Sequence, residues 1–371
     1  MTYLDYSATT PVNEEVLNTF VEVSRKYIGN PNSLHKLGIA ANEIIKASTK
    51  QISNLLNIKE NEIIYTSGSS ETNNTVIKGI GLKYQNRGKH IITTEFEHSS
   101  IYGPLTYLQK QGFKVDFVKT NEFGLVDLDN LKELLTDDTI LVSVGSVNSE
   151  IGIKQPIEEI GKILIEYPKC FFHVDMTQAL GKIKIDLTNV DLASFAAHKI
   201  YGIKGIGLLY KKENISLEPL IHGGKSTTIY RSGTPAPAMI ASFAKAMRLI
   251  LEDLDEHYEY VSKLNEKIKS GLKKYNNVHI NSNKYSIPYV LNVSVVGIKP
   301  ETLLHALEKY DIYISTQTAC STGTSSKSVY ALTKNEDRAK SSIRISLSHL
   351  TKESDINYFL EKFDVCYKEL I

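Results

Sequence analysis

Cysteine, net charge and long apolar runs are all scarce in this sequence, and each shortage narrows the class of protein. Its 371 residues include 43 Lys plus Arg against 42 Asp plus Glu. This balance excludes a strong overall field for nucleic acid or an anionic membrane. The N-terminus has acidic residues and no apolar run, so we expect no signal peptide, no membrane anchor and a mature protein that comprises the whole chain. The sequence has three cysteines, Cys170, Cys320 and Cys366.

These cysteines are too few, and too irregularly spaced, for a disulfide framework or a zinc site. They favour a reducing, cytoplasmic compartment. Cys170 opens an apolar strand and Cys366 follows a helical pattern with Phe359 and Phe363, so we assign both to packing. Cys320 differs, because it lies in a loop rich in Ser and Thr.

What is present is the hydrophobic pattern of a globular α/β protein, with 42% hydrophobic and 23% charged residues. From about residue 60 to 212, short Ile- and Val-rich runs alternate with segments of helical period, which indicates a mostly parallel sheet between helices. The predicted strands are 62–65, 90–94, 114–118, 139–144, 171–174, 191–195 and 205–210, and the predicted helices are 71–84, 128–135 and 157–166.

The length of the chain suggests two domains. After Pro237 a helical pattern from Met239 to Leu272 predicts one long helix between them. Further on, a strand at 289–295 and a helix at 301–309 indicate a smaller α+β domain. We therefore expect a large domain at 13–250 and a small domain made of 1–12 and 251–371.

Two strand ends carry residues that suit an aldehyde cofactor. Lys199 follows one strand and precedes several glycines, and a lysine whose charge is disfavoured by a cleft can form a Schiff base. Asp175 ends another strand, where a carboxylate can keep the ring nitrogen of pyridoxal phosphate protonated, and Gln178 can hydrogen-bond the ring hydroxyl. Taken alone, a solvated loop lysine and a helix-capping aspartate explain these two residues at least as well.

Two further strand ends add weaker signals. One strand runs into Gly68, Ser69 and Ser70 before a helix, where backbone N–H groups can bind a phosphate. A serine N-cap with Glu71 in the first turn is the plain alternative. His98 follows another strand and can stack on a cofactor and transfer a proton, or it can simply begin a helix.

The segment around Cys320 is the most informative. Free cysteine is usually buried, so a cysteine on a small polar loop is a candidate reactive thiol. Downstream, Arg344 lies in an alternating strand, and its planar guanidinium suits a carboxylate. A surface ion pair is the alternative for Arg344.

Together these segments resemble the NifS/IscS-like cysteine desulfurases, which belong to the class-V aminotransferase group of the fold-type I pyridoxal-phosphate enzymes. The resemblance covers nearly the whole chain and implies a large cofactor-binding domain, with the catalytic cysteine loop in the small domain. The matching motifs are YLDYSATTP at 3–11, GNPNSLH at 29–35, TSGSSETNN at 66–74, VNSEIG at 147–152, HVDMTQ at 173–178, HKIYG at 198–202, RSGT at 231–234, STQTACS at 315–321 and SIR at 342–344.

The resemblance implies pyridoxal 5'-phosphate, a homodimer and specific roles for single residues. Cys320 is implied as the nucleophile that takes sulfur from L-cysteine as a persulfide, leaving alanine. The other implied roles are the cofactor-bearing lysine for Lys199, the partner of the ring nitrogen for Asp175, the stacking acid/base for His98, the ring-hydroxyl ligand for Gln178, phosphate ligands for Ser69, Ser70 and His198, a phosphate ligand donated across the dimer for Thr234, and carboxylate binders for Asn148 and Arg344. No metal ligand is implied.

Several positions depart from the family pattern without removing a reactive group. Ala196 replaces a common hydroxyl residue before Lys199, so one phosphate hydrogen bond is in doubt. Ser69–Ser70, Gln317–Thr318 and the segment 222–228 also differ from the usual residues. The chain ends soon after Arg344, whereas many members carry a longer tail that docks an iron–sulfur scaffold.

The leading hypothesis is therefore a cysteine desulfurase that delivers sulfur to an acceptor protein, either a tRNA-thiolating enzyme or an iron–sulfur scaffold. The short tail favours the first acceptor. One alternative is a selenocysteine lyase or aminotransferase on the same fold, which need not depend on the loop thiol. Another is a sulfur-relay component that works slowly without its partner. We expect neither direct nucleic-acid binding nor membrane association.

Overall fold

The computed structural model describes residues 1–316 and 325–371. Cys320 and the departures at Gln317 and Thr318 therefore lie outside the described residues. The strands are β1 (Thr2–Tyr3), β2 (Ile63–Thr66), β3 (His90–Thr93), β4 (Lys114–Phe117), β5 (Thr139–Gly145), β6 (Phe171–Asp175), β7 (Leu192–Ala196), β8 (Gly207–Lys211), β9 (Val278–Ile280), β10 (Val290–Val295), β11 (Ile312–Tyr313) and β12 (Ser342–Ser346).

Helices cover the sheets and connect the strands. Those of the N-terminal half are α1 (Glu14–Lys26), α2 (Lys36–Leu56), α3 (Ser69–Tyr84), α4 (Ser99–Gln109), α5 (Leu128–Leu134) and α6 (Ile157–Leu164). Those of the C-terminal half are α7 (Pro237–Glu252), α8 (Leu254–Leu272), α9 (Pro300–Glu308), α10 (Lys327–Thr333), α11 (Glu336–Lys340) and α12 (Glu353–Leu370).

The central sheet has seven strands in the order β2-β8-β7-β6-β5-β3-β4. All seven predicted strands of this region are present. Their pairing is parallel except at β8, which runs antiparallel to both β2 and β7. Buried Ile, Val and Phe side chains of β5, β6 and β7 form the core, as expected for strands covered on both faces. The predicted α/β fold is confirmed.

Parallel strands bring their carboxyl ends to one edge of the sheet, and this edge carries the polar residues of interest. The register pairs Gly145 of β5 with Asp175 of β6, and Asp175 with Ser194 of β7. A short 3₁₀ helix, Ala197–Lys199, follows β7 directly. Asp175 and Lys199 therefore leave neighbouring strands at the same edge, which is where ligands bind in open α/β sheets.

The long helix predicted after Pro237 is two helices, so this prediction was wrong at one position. Asp253 separates α7 from α8 with φ −115° and ψ 31°, outside the helical region. The apolar period continues across the break, because Ile250 and Leu254 on either side are both buried. Aspartate is a poor residue for a helix interior, and periodicity alone does not register the break.

A smaller antiparallel sheet in the order β12-β10-β9 forms the C-terminal part. Strand β1 pairs with β11 in parallel, and Asp5 forms a bridge with Ser346. The first residues of the chain therefore pack with its last third, as the predicted small domain requires. The domain bounds at residues 12–13 and 250–251 stay a prediction. Within the described ranges, no helix is long and apolar enough to cross a membrane.

Candidate active site

A cavity of about 520 Å³ opens at the carboxyl edge of the central sheet. Most of the residues singled out in the sequence line it. From the predicted set these are Ser69, Ser70, His98, Asp175, Gln178, His198, Lys199 and Arg344. Ser7, Ala8, Gly68, Glu71, Glu97, Ser100, Thr177, Lys204 and Gly205 also line the cavity.

Lys199 reaches the N-terminal segment of the chain. Its Nζ donates hydrogen bonds to the backbone carbonyls of Ser7, at 2.5 Å, and of Ala8, at 2.8 Å. The carbonyl of His198 accepts from the backbone N–H of Thr10, which holds the same two segments together. Burial, together with the positive charges of the neighbouring lysines, lowers the pKa of the His198 imidazole to about 4. His198 is therefore a neutral hydrogen-bonding group at pH 7.

The Asp175 carboxylate is held by three donors and still faces the cavity. Asn73 Nδ2 donates to Oδ2 at 2.8 Å. The backbone N–H of Thr177 donates to Oδ1 at 3.0 Å, and the Thr177 hydroxyl also contacts Oδ1. Thr177 Oγ1 lies 2.7 Å from Ser69 Oγ; since the single proton of Thr177 goes to the carboxylate, Ser69 is the donor in that pair. These donors are all neutral, so the negative charge of Asp175 is positioned rather than neutralised.

The N-terminus of α3 meets the cavity with backbone rather than side chains. Gly68 precedes the helix with φ +152°, and no side chain within the described residues caps this end. A Cβ at Gly207 of β8 would lie 2.6 Å from the Gly68 Cα, so the close approach of β8 to the turn before α3 requires glycine at position 207. The positive end of the helix dipole and its first N–H groups can therefore bind an anion.

An ion pair lies beside the N-terminus of α3. Arg231 Nε donates to Glu71 Oε1 at 3.0 Å, and the backbone N–H of Ser67 donates to Glu71 Oε2 at 2.7 Å. These contacts hold the pKa of the Glu71 carboxyl below its usual range despite burial. Glu71 thus connects the N-terminus of α3 to the segment that carries Arg231 and Thr234.

His98 has a defined neutral form in this site. Its Nδ1 accepts from the backbone N–H of Ser100 at 3.2 Å and lies 2.8 Å from the Ser100 hydroxyl. A ring nitrogen that accepts from an N–H carries no proton, so the proton is on Nε2. Burial lowers the pKa of His98; Asp175 opposes this shift and Lys199 adds to it.

Asn73 connects His98 to Asp175, and nothing in the sequence analysis assigned it a role. Its side chain is fully buried, and its Nδ2 donates both to Asp175 and, at 2.9 Å, to Ser100 Oγ. Because Ser100 Oγ accepts from Asn73, its own proton is directed to His98 Nδ1. The polar motif TSGSSETNN at 66–74 contains Asn73, but the motif alone did not distinguish this residue from a surface asparagine.

Glu97 is a second residue that the sequence analysis missed. Its Oε1 accepts from Thr94 Oγ1 at 2.6 Å and from the Gly145 backbone N–H at 3.0 Å. Burial and the nearby charge of Asp175 outweigh the two hydrogen bonds and raise the pKa of its carboxyl to about 7. The cavity therefore contains a carboxyl group that can hold a proton near neutral pH.

Arg344 forms a different kind of contact. It is 1% exposed, and it pairs with Asp5 at 2.7 Å between Nη2 and Oδ1. Its Nη1 donates to the Ser149 carbonyl at 3.1 Å, and its buried Nε has no hydrogen-bond partner within the described residues. The surface ion pair considered for Arg344 is therefore wrong, because the pair is buried. The strand around it does not alternate either, since all five residues of β12 are buried.

Asn148 and Thr234 do not line the cavity. Asn148 Oδ1 accepts from the backbone N–H groups of Glu150 and Ile151, while Nδ2 donates to the Phe96 carbonyl and to Ser328. Its side chain therefore fixes a turn. Thr234 is exposed in the segment between Arg231 and α7. The roles predicted for both residues stay predictions.

The donor set around the cavity fits pyridoxal 5'-phosphate. A helix N-terminus with Ser69 and Ser70 suits its phosphate, Asp175 its ring nitrogen, and Lys199 its aldehyde. Gln178 is 6% exposed and directs its amide Nε2 to the Ser7 carbonyl at 3.0 Å, beside the Lys199 amine. The aldehyde and the ring hydroxyl of this cofactor are neighbouring substituents, as are Lys199 and Gln178 in the cavity.

Residues 2–359 match the aminotransferase class-V family, so the chain belongs to this family of pyridoxal-phosphate-dependent enzymes. A "NifS/IcsS protein homolog" of Lactobacillus delbrueckii is 41% identical, over 99% of this chain and 97% of the relative. Cysteine desulfurase IscS of Vibrio cholerae is 40% identical, over 99% of this chain and 93% of the relative. The mitochondrial cysteine desulfurase of Saccharomyces cerevisiae is 38% identical, over 97% of this chain and 73% of the relative.

Solved structures support the same relationship. A NifS-like protein superposes with a TM-score of 0.95 at 35% identity, over the full length of both chains. The NifS-like protein of Rickettsia africae has a TM-score of 0.89 at 33% identity, over 99% of both chains. The resemblance inferred from the sequence motifs is thereby confirmed.

Proposed function

We propose that this chain is a pyridoxal-phosphate-dependent cysteine desulfurase, which converts L-cysteine to L-alanine and takes the sulfur onto Cys320 as a persulfide. The observation that carries this proposal is the single cavity in which Lys199, Asp175, His98 and Gln178 converge with Arg344. The relatives with nearly full coverage that are named cysteine desulfurases support the same activity.

The cofactor is held by groups of this chain at four places. Lys199 binds it covalently, Asp175 pairs with the ring nitrogen, Gln178 donates to the ring hydroxyl, and the helix end at Ser69 and Ser70 binds the phosphate. Once bound, pyridoxal phosphate supplies an electron sink for bonds at the substrate carbon atoms. The half-buried Asp175 carboxylate suits this sink, because its donors among the described residues are neutral and its charge stabilises the protonated ring nitrogen.

Arg344 binds the substrate carboxylate. A guanidinium can hold a carboxylate through two N–H groups, and Nε of Arg344 has no partner among the described residues. Asp5 already pairs with Nη2, so the substrate uses the remaining donors or displaces Asp5. The pair keeps the guanidinium in place when no substrate is bound.

Two groups hold transferable protons beside the substrate, Nε2 of His98 and the amine of Lys199. Ser100 keeps the proton of His98 on Nε2, which lets that nitrogen donate without a change of tautomer. Sulfur transfer then needs a thiolate. Cys320 attacks the substrate sulfur, a sulfur–sulfur bond forms, the carbon–sulfur bond breaks, and the electron pair stays with the carbon fragment that becomes alanine after protonation.

The test separates sulfur chemistry from cofactor binding. Cys320→Ala is expected to retain the visible absorbance of the bound cofactor and to lose persulfide and sulfide formation from L-cysteine. Cys170→Ala, which changes a buried packing cysteine, is the matched control and is expected to retain turnover. Undiminished sulfide release by Cys320→Ala would contradict the proposal and favour a lyase that does not need this thiol.

We also propose a homodimer, on the basis of an exposed apolar surface near the cavity. Leu34 is 93% exposed, Ile28 75% and Ile229 63%. Asn32 Nδ2 donates to Ser226 Oγ at 3.2 Å, so the two segments that carry these side chains are neighbours. Burying such a surface against a second copy removes it from water, and it would bring Thr234 of one copy toward the phosphate site of the other. Leu34→Glu is expected to shift sedimentation equilibrium toward the monomer, and an unchanged dimer would argue against this surface.

The persulfide sulfur goes to an acceptor protein, for which we propose either a tRNA-thiolating enzyme or an iron–sulfur scaffold. Transfer of labelled sulfur from the Cys320 persulfide to each purified acceptor distinguishes the two, and transfer to neither contradicts the proposal. We propose a cytoplasmic location, which the small number of cysteines and the free thiols of Cys170 and Cys366 support.

A further inference from the structure

A buried lysine that no proposed step uses lies directly behind the cofactor ligand Gln178. Lys182 is 6% exposed. Its Nζ donates one hydrogen bond, to Gln178 Oε1 at 3.0 Å. Across residues 1–316 and 325–371 no carboxylate lies within ion-pair distance of it, whereas Lys184, two residues further on, is exposed and pairs with Asp255 at 2.8 Å.

A buried ammonium without a carboxylate is unfavourable, so its retention calls for a reason. Burial, together with the positive charges of Lys199 and Arg344, lowers the pKa of Lys182 to about 7. The backbone before Lys182 is closely packed, because Gly181 has φ +71° and a Cβ at that position would lie 2.7 Å from Ile250 and 3.0 Å from Ile200. Lys182 thus stays near two other cations, with one neutral partner.

The chemistry of that one contact determines how Gln178 is oriented. An amide side chain can turn over and exchange its oxygen and nitrogen, but a lysine ammonium can only donate. Gln178 must therefore present Oε1 to Lys182, which leaves Nε2 toward the Ser7 carbonyl at 3.0 Å. The same carbonyl accepts from Lys199 Nζ, so the orientation set by Lys182 reaches the cofactor-bearing amine.

We infer that Lys182 is a positioning residue of the cofactor pocket: its Nζ donates a hydrogen bond to the Gln178 carbonyl and so directs the Gln178 amide N–H toward the ring hydroxyl of the cofactor. This inference rests on the proposed cofactor site. A donor beside that oxygen, with a cation behind it, stabilises the deprotonated oxygen. The same arrangement disfavours a proton on the nitrogen that joins Lys199 to the cofactor.

The expected consequence is spectroscopic. The bound cofactor changes its visible absorbance when the nitrogen at Lys199 loses its proton. Lys182→Met keeps a long, unbranched side chain and removes the donor and its positive charge, so the midpoint of this change should move up by about one pH unit. The affinity of the apoenzyme for pyridoxal phosphate should fall roughly fivefold, which corresponds to one ordinary hydrogen bond.

Three single variants and one double variant accompany Lys182→Met in the same titration. Lys182→Arg keeps a group that only donates and should retain the low midpoint. Lys184→Met removes a neighbouring exposed charge and should leave the midpoint and the affinity unchanged. Gln178→Ala should raise the midpoint as Lys182→Met does. The double variant should show no further rise, because both changes remove the same oriented hydrogen bond from the Gln178 amide to the ring hydroxyl.

The inference is overturned if Lys182→Met leaves midpoint and affinity unchanged, if Lys184→Met shifts them equally, or if the effects of Lys182→Met and Gln178→Ala add. Thermal unfolding of each apoenzyme checks folding, and Lys182→Gln replaces the Met variant if that variant does not fold. A wild-type chain that binds no pyridoxal phosphate would refute the proposed function itself. The role of Lys182 alone is refuted if the wild-type enzyme binds pyridoxal phosphate and releases alanine from cysteine while Lys182→Met has the wild-type midpoint and affinity.

Discussion

On one side of the cavity Asp175 accepts hydrogen bonds, among the residues that the structure describes, from the neutral groups of Asn73 and Thr177, whereas on the other side Arg344 is already paired with the carboxylate of Asp5. The Asp175 side keeps an uncompensated negative charge in a fixed position, ready for a cationic ring nitrogen. On the Arg344 side, the Asp5 carboxylate balances the charge of the guanidinium until the carboxylate of the substrate binds. These two arrangements fit the different tasks that we propose for them: the Asp175 side holds a resident cofactor, and the Arg344 side exchanges partners with each substrate.

The largest expected effect tests the charge on the Asp175 side. Asp175→Asn retains the shape of the side chain and removes the charge that stabilises the protonated ring nitrogen, so kcat should fall on the order of 100- to 1000-fold. The measurement is alanine release at saturating cofactor and L-cysteine. Asp186→Asn, on an exposed turn, is the control. A kcat within threefold of wild type would show that the charge of Asp175 is not used.

The next effect concerns Glu97 on the same side. Its carboxyl pKa is raised from 4.5 to about 7 by burial, so between these values the folded protein binds a proton that the unfolded chain has released. The stability contributed by this neutral acid is fully present below pH 4.5 and is lost as the pH rises through 7. Compared with Glu97→Gln, which does not titrate, the wild-type apoenzyme should lose about 2 to 3 kcal/mol across this window.

Denaturant unfolding of both apoenzymes at pH 5 and pH 8 measures this difference. Groups that titrate equally in the two proteins cancel in the comparison. Parallel stability profiles would mean that Glu97 is ionised throughout and that the cavity holds a second negative charge beside Asp175.

The same contrast explains which residues could be predicted from the sequence. Asp175, His98 and Lys199 each follow an apolar run, and parallel strands place such positions at one edge of the sheet. The residues of the cofactor side could therefore be predicted from short sequence segments, because each lies just after a strand. Ser69 and Ser70 were found for the same reason, because they follow β2 at the start of α3.

The Arg344 side depends on contacts that no local pattern contains. Asp5 and Arg344 are far apart in the sequence and meet only because β1 pairs with β11 while Asp5 bridges to β12. Asn148 matched a family motif, yet its side chain fixes a turn at residues 148–151. No motif in the sequence pointed to Lys182, and only the packed structure shows its burial behind Gln178.

A smaller effect tests the exchange of partners at Arg344. Arg344→Lys keeps a positive charge but loses the planar pair of donors, so KM for L-cysteine should rise about tenfold, or roughly 1.4 kcal/mol, while the cofactor absorbance is unchanged. Arg248→Lys, which alters an exposed ion pair with Glu252, provides the control. If the Lys variant lost its cofactor instead, Arg344 would belong to the cofactor side.

The smallest effect tests whether Asn73 connects the cofactor side to the proton carrier. Asn73→Ala removes the donor that orients Ser100, so that the Ser100 hydroxyl can also accept from Nδ1–H and His98 can change its tautomer. The loss of about one hydrogen bond should lower kcat roughly fivefold with little change in KM.

The pH profile of kcat separates this effect from simple destabilisation. Asn74→Ala is the matched control, since the Asn74 side chain is exposed and bonds only the Ser70 carbonyl. Ser100→Ala leaves the contact between Asn73 and Asp175 in place, so it should move the acid–base profile in the same way without altering the spectrum of the bound cofactor. An Asn73→Ala profile identical in shape to wild type would mean that the tautomer of His98 is set by the Ser100 backbone N–H alone.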